Sequence, residues 1–213
     1  DPHIDGLDPQ SDGSDAAQRF AEPPLTLDTI AQLTDALAGR YRIDHELGLG
    51  PVATAFLAHD LTQDRKVVVH ILRDEFNTSA GSARFIREIR IASGLQHPNI
   101  VTVIEAAEAG SILYYVTPYV KGESLRERLA RDGELPVPEA VRLLGEISAA
   151  LVAAHAEGIA HRDLTPGHIL VSGRPAMVTE FGVAKAIYAT AIRNVGRAGA
   201  PLPTYLAPEQ VTA

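Results

Sequence analysis

Four short runs concentrate the residues of this chain that could do chemistry. Gly48-Leu49-Gly50 falls between two strand-like segments, and glycine there lets the backbone approach a ligand closely, as phosphate-covering loops require. By itself such a pair is more often a plain hairpin turn. Downstream, in order, come His161-Arg162-Asp163, Glu180-Phe181-Gly182 and Ala207-Pro208-Glu209-Gln210. Four ordered motifs rarely coincide, and together they outweigh the hairpin reading. The chain has no cysteine, which removes disulfide frameworks, thiolate zinc sites and cysteine nucleophiles and favours a reducing compartment such as the cytoplasm.

The elements that must position these runs follow from patterning. Residues 1–24 carry six carboxylates against Arg19, a net charge of −5 out of −8 for all 213 residues, and read as a disordered acidic tail. Residues 25–39 read as a short amphipathic helix, with Leu27, Ile30, Leu33 and Leu37 on one face, Asp28 as N-cap and Gly39 as stop. Strands are expected at Tyr41 to Leu49, Ala53 to His59, Lys66 to Leu72, Ile100 to Ala106 and Leu113 to Tyr119, interrupted by a helix from Ser82 to Leu95. From Ser124 the pattern turns helical. Its longest stretch, Pro138 to His155, has Ala140, Leu144, Ile147, Leu151 and Ala154 as its apolar face.

Composition bounds the function. With 46% apolar and 22% charged residues the chain is globular, and a pI near 5.4 excludes a general nucleic-acid binder. Tyr114, Tyr115 and Tyr119 accordingly read as strand and hinge packing rather than a base-stacking platform. The longest apolar runs, Ile112 to Val120 and Ile147 to Ala154, fall short of the roughly 18 residues of a membrane span. The chain begins at Asp1 with nothing like a signal peptide, which suggests a fragment or a processed product.

Over about residues 40–213 the motifs, with Phe85-Ile86-Arg87-Glu88, His97-Pro98-Asn99-Ile100-Val101 and Tyr115-Val116-Thr117-Pro118-Tyr119-Val120, resemble bacterial protein kinases of the eukaryotic-like serine/threonine family. The resemblance implies an α+β, two-lobed fold. Residues 40–120 would form an antiparallel-sheet lobe and hinge, and residues 121–213 a partial helical lobe. It places nucleotide between them, against Gly48, Leu49, Gly50, Val69, His70, Glu88, Thr117, Tyr119, Val120 and Leu170.

The same resemblance exposes departures from the family. Val67-Val68-Val69-His70 ends where the family has a lysine that pairs with the helix glutamate, here Glu88, and holds the α and β phosphates. Asp163 is retained as base, but Thr165 and His168 stand where a lysine and a magnesium-binding asparagine belong. Glu180 replaces the aspartate that holds magnesium, Pro51 interrupts the glycine loop, and Pro201-Leu202-Pro203 replaces Gly-Thr-Pro. Phosphoryl transfer depends almost wholly on positioning and electrostatic stabilisation. Four altered groups at once therefore point to a pseudokinase serving as a regulatory or binding module.

Two alternatives stand beside it. One is an active serine/threonine kinase, with Asp163 as base, Glu180 as metal ligand and Glu88 orienting His70. The other is a non-functional remnant. ATP is the expected ligand, with magnesium weakened; His70, His168 and Glu180 could instead converge as a zinc or iron site, ligands that suit those metals better. Protein partners or substrates are implied, and nucleic acid is not. In the family the glutamate of Ala-Pro-Glu pairs with an arginine in a later helix, so the lower lobe is expected to be unfinished, with an apolar patch that drives self-association.

Overall fold

The computed structural model describes residues 31, 34–50, 52–73, 79–171, 175–191 and 205. The acidic tail, the Asp28 cap, Pro51, the Pro201-Leu202-Pro203 run and Ala207-Pro208-Glu209 lie outside them. Residues 34–37 are helical and bury Leu37 against the first strand-rich core.

Five strands form an antiparallel sheet in the order β1-β2-β3-β5-β4: β1 Tyr41–Leu49, β2 Ala53–Asp60, β3 Arg65–Leu72, β4 Glu105–Ala109 and β5 Ile112–Pro118. Helix α1, Ser79–Ala92, follows β3 and starts one turn earlier than its periodicity suggested. Side chains alternate across a strand, so the sheet builds two cores. Tyr41, Phe56, Val67, Val69, Ile71, Tyr114 and Val116 pack on one face with Leu37. On the other, Leu72, Leu113 and Tyr115 pack against Phe85 and Ile89 of α1.

The strand expected at Ile100 to Ala106 is corrected to Glu105–Ala109. Ile100, Val101 and Val103 are buried, which gave them their strand-like apolar pattern, but their backbone is spent elsewhere. Val101 N donates to Val178 O at 2.8 Å, and Val178 N donates to Asn99 O at 2.8 Å. This segment is the seam between the two lobes.

The lower lobe begins with β6, Glu123–Ser124, and helix α2, Leu125–Asp132. Ser124 and Glu127 form a reciprocal capping box at the start of α2, which satisfies two otherwise unpaired N–H donors. Helix α3 spans Val137–Ala156 with Pro138 in its first turn, where a missing N–H costs nothing. Strands β7, Ile169–Val171, and β8, Met177–Val178, pair with β6 in the order β6-β7-β8. Helix α4, Val183–Ala191, closes the described part.

The expected apolar face of α3 holds at Ala154, which is buried, and at Ile147 and Leu151, which pack against the same core, but Leu144 is corrected: it is 63% exposed together with Val137, Val141 and Val152, and Leu143 and Ala150 are buried instead. The helix is apolar on two sides, so spacing alone could not say which side meets β8 and the seam. No helix among the described residues is long and apolar enough to cross a membrane.

Candidate nucleotide cleft

The upper wall is set by the pleat of β3 and β5. The register pairs His70 with Tyr115 and Val68 with Thr117, so these four side chains share one face. His70 stacks on Tyr115, ring centroids 4.3 Å apart and planes 3° from parallel. Its Nε2 lies 3.1 Å from the Thr117 hydroxyl. Burial pushes the His70 imidazole below its usual range, with the Glu180 carboxylate opposing that effect. Burial likewise raises the Tyr115 hydroxyl well above its usual value, reinforced by Glu180, to which it is hydrogen-bonded.

Val69, expected at the nucleotide, is corrected to the opposite face. It is fully buried in the outer core with Tyr41 and Phe56. Val68, half-buried, is the residue that shares the cleft face with His70, as strand alternation counted from His70 would have indicated.

The glycine turn joins β1 to β2, and Gly50 N donates to Ala53 O at 2.9 Å. A Cβ on Gly50 would lie 3.0 Å from that oxygen, so a side chain there would push the turn open by a few tenths of an ångström. Leu49, paired with Thr54 at the end of β1, is 46% exposed. At the hinge Tyr119 N is tied to Lys66 O at 3.3 Å, and the Tyr119 ring lies 5.9 Å from Lys66 Nζ. Val120 follows half-buried, and Leu170, also half-buried, comes from β7 below.

The lower wall is a loop organised by histidines. His161 is 3% exposed. Its Nε2 donates to the Thr179 carbonyl at 2.9 Å, and its Nδ1 accepts from Asp163 N at 3.4 Å. Phe181 closes on the ring edge at 4.8 Å. These contacts hold Arg162 and Glu180 at φ values of +69° and +66°, a left-handed conformation that costs a non-glycine residue about 1–3 kcal/mol.

His168 sits between them. Its Nδ1 is 2.6 Å from the Asp163 carbonyl oxygen and 3.8 Å from Asp163 Oδ2, and its Nε2 is 3.3 Å from Glu180 Oε2. Thr165 Oγ1 lies 3.4 Å from His168 Nδ1 and 3.5 Å from Nη2 of Arg126 on α2. Arg126 was not legible from the loop's own sequence, because helix α2 delivers it.

Glu88 does not orient His70. Its carboxylate pairs with Lys185 Nζ of α4 at 2.9 Å, and the hydrogen bond to Lys185 holds it below the usual carboxylate range. Helix α4 docks on α1 through Val183 and Ala186, with Gly182, at φ +81°, so close that a Cβ would stand 2.4 Å from that of Ala92. The ion pair expected within the upper lobe is thus replaced by one between α1 and the segment after Glu180.

The cleft's residues suit nucleotide better than metal. Val68 on β3 and Leu170 on β7 are half-buried and Leu49 is exposed, the apolar side chains available to a flat ring. For a metal the fit fails. The Glu180 carboxylate is engaged by His168, His70 is turned to Thr117, and no group of three histidine or carboxylate side chains among the described residues is arranged to hold an ion. The zinc or iron cluster is therefore not assembled.

Comparison with known proteins agrees with this geometry. The protein kinase domain family matches residues 41–213. The chain is 38% identical over 176 residues to serine/threonine-protein kinase PrkC of Bacillus subtilis, covering 82% of this chain and 27% of that one. It is 36% identical over 182 residues to serine/threonine-protein kinase PknB of Mycobacterium leprae, covering 82% and 29%. It thus spans under a third of the length of these relatives. Among solved structures, the kinase domain of Mycobacterium tuberculosis PknI aligns with a TM-score of 0.62 at 25% identity, covering 67% of this chain and 58% of that one. With ordered motifs, a two-lobed fold and these relatives in agreement, the chain belongs to the protein kinase domain family, in its bacterial eukaryotic-like serine/threonine branch.

Proposed function

We propose that this chain is a pseudokinase: a kinase-like domain whose cleft, between residues 40–120 and 121–213, admits nucleotide and which regulates or binds a protein partner in the cytoplasm rather than transferring phosphate. The observation that carries the reading is the broken strand–helix pair. His70 is committed to Thr117 and Tyr115, and Glu88 to Lys185. The family's lysine–glutamate pair holds the α and β phosphates in line; a stacked, uncharged imidazole does not supply that charge. Thr165 brings no cation of its own to the catalytic loop.

What remains supports binding without turnover. Asp163 keeps a half-exposed carboxylate, and Val68 shares the β3 face with His70 next to the hinge. Protein contact is the other expected activity, and the exposed apolar side of α3 supports self-association as one form of it.

Nucleotide-induced thermal stabilisation tests the reading, because a ligand of the native state must raise apparent stability. ATP or ADP is expected to raise the melting temperature while transfer of labelled phosphate to a generic protein substrate stays at background. Robust transfer abolished by Asp163→Ala would establish the active-kinase alternative. The combined His70→Lys, Thr165→Lys, His168→Asn and Glu180→Asp variant is expected to gain far more activity than any single reversion, since groups that act as a unit are non-additive.

A further inference from the structure

We propose that the cleft takes a nucleoside di- or triphosphate without a divalent cation, with the Arg126 guanidinium serving the polyphosphate in the metal's place. This rests on the nucleotide reading above and adds what the phosphates meet.

Three observations converge on the corner where a metal would bind. First, the one carboxylate the β8–α4 turn supplies is already engaged. Glu180 Oε2 faces His168 Nε2 at 3.3 Å. Magnesium demands near-octahedral oxygen ligands at about 2.0–2.1 Å and dehydrates reluctantly, so an engaged carboxylate beside an imidazole is a poor host. Second, His168 is held in place and cannot readily swing aside. Its Nδ1 is fixed on the Asp163 carbonyl at 2.6 Å, its backbone N–H on Thr165 O at 2.9 Å and its carbonyl on Thr179 N at 2.9 Å. The ring therefore occupies the place of the magnesium-binding asparagine with an imidazole turned to Glu180, the one carboxylate the site has left for the ion.

Third, a permanent cation stands beside the loop. Arg126 Nη2 is 3.5 Å from Thr165 Oγ1, and its guanidinium lies along Gly167, where an added Cβ would touch it at 3.4 Å. Arg126 is exposed and anchored by the capped first turn of α2. A guanidinium is charged at every accessible pH and presents a fork that matches phosphate oxygens.

The test is a titration of a fluorescently labelled ADP into the full chain, once in excess EDTA and once in millimolar Mg²⁺. The two affinities are expected to agree within about twofold, whereas tightening by about tenfold or more in Mg²⁺ would overturn the inference and leave the nucleotide reading intact. No binding in either condition removes the nucleotide reading and this inference with it.

Two further arms read the named residues. In EDTA, Arg126→Gln is expected to weaken binding about tenfold and Arg126→Lys less, and an unchanged affinity in Arg126→Gln rejects the role given to that residue. Mn²⁺ alone, followed by electron paramagnetic resonance, is expected to find no site in the native chain and to gain one in the His168→Asn/Glu180→Asp double variant. A native Mn²⁺ site lost in Glu180→Gln, or a double variant that gains none, counts against the wedged histidine.

Discussion

A buried histidine with both ring nitrogens already partnered has no room for a second proton. His161 donates from Nε2 to the Thr179 carbonyl and accepts at Nδ1 from the Asp163 N–H, so only the neutral ring satisfies both. Burial holds its pKa below the ordinary value, the bond to Thr179 opposing, and burial lowers His70 in the same direction. In the unfolded chain both titrate near about 6.5. Below that pH the unfolded state binds more protons than the folded one, so stability rises with pH and is lost as pH falls through the unfolded and then the folded values. The melting temperature is expected to drop between about pH 7 and pH 5, and His70→Gln to flatten part of that slope. A profile unchanged in His70→Gln would show that this ring already accepts a proton in the fold.

At the scale of elements, the docking of α4 on α1 decides the state of the cleft. Val183 and Ala186 share a core with Phe85 and Ile89, and the Lys185–Glu88 pair caps that contact. Half of Lys185 is exposed, so the pair itself contributes little to stability; the close packing at Gly182 carries the contact. Gly182→Ala would bring a Cβ within 2.4 Å of Ala92 at φ +81°. It is expected to destabilise the domain by about 2–4 kcal/mol, seen as a lowered urea midpoint. A midpoint unchanged within error would mean that α4 is not packed on α1 in solution.

For the whole molecule, the notable surface is the outer side of α3. Val137, Val141, Leu144 and Val152 are 75%, 63%, 63% and 69% exposed and recur at helical spacing, so they form one apolar stripe. Contiguous apolar patches on a protein surface commonly mark contacts with another chain. Light scattering on the purified chain is expected to show association that rises with concentration. Leu144→Glu/Val152→Glu should return it towards a monomer without lowering the melting temperature, since neither side chain is part of the buried core. A monodisperse native chain at high concentration would reject self-association through this helix.

Periodicity and motif order determined most of the element types and the two-lobed family fold. Those signals are local: alternation in β3, the capping residues of α2, the glycine pair before β2. Tertiary structure decided what spacing leaves open. Ile100, Val101 and Val103 are apolar enough for a strand, but the seam to β8 claimed their backbone. Helix α3 is apolar on two sides, and only docking chose Leu143 over Leu144. Val69 and His70 are adjacent in sequence yet face opposite cores. The partners of His70 and Glu88 lie on β5 and α4, far along the chain, and a side chain's charge partner is set by which elements meet, which no window of sequence contains.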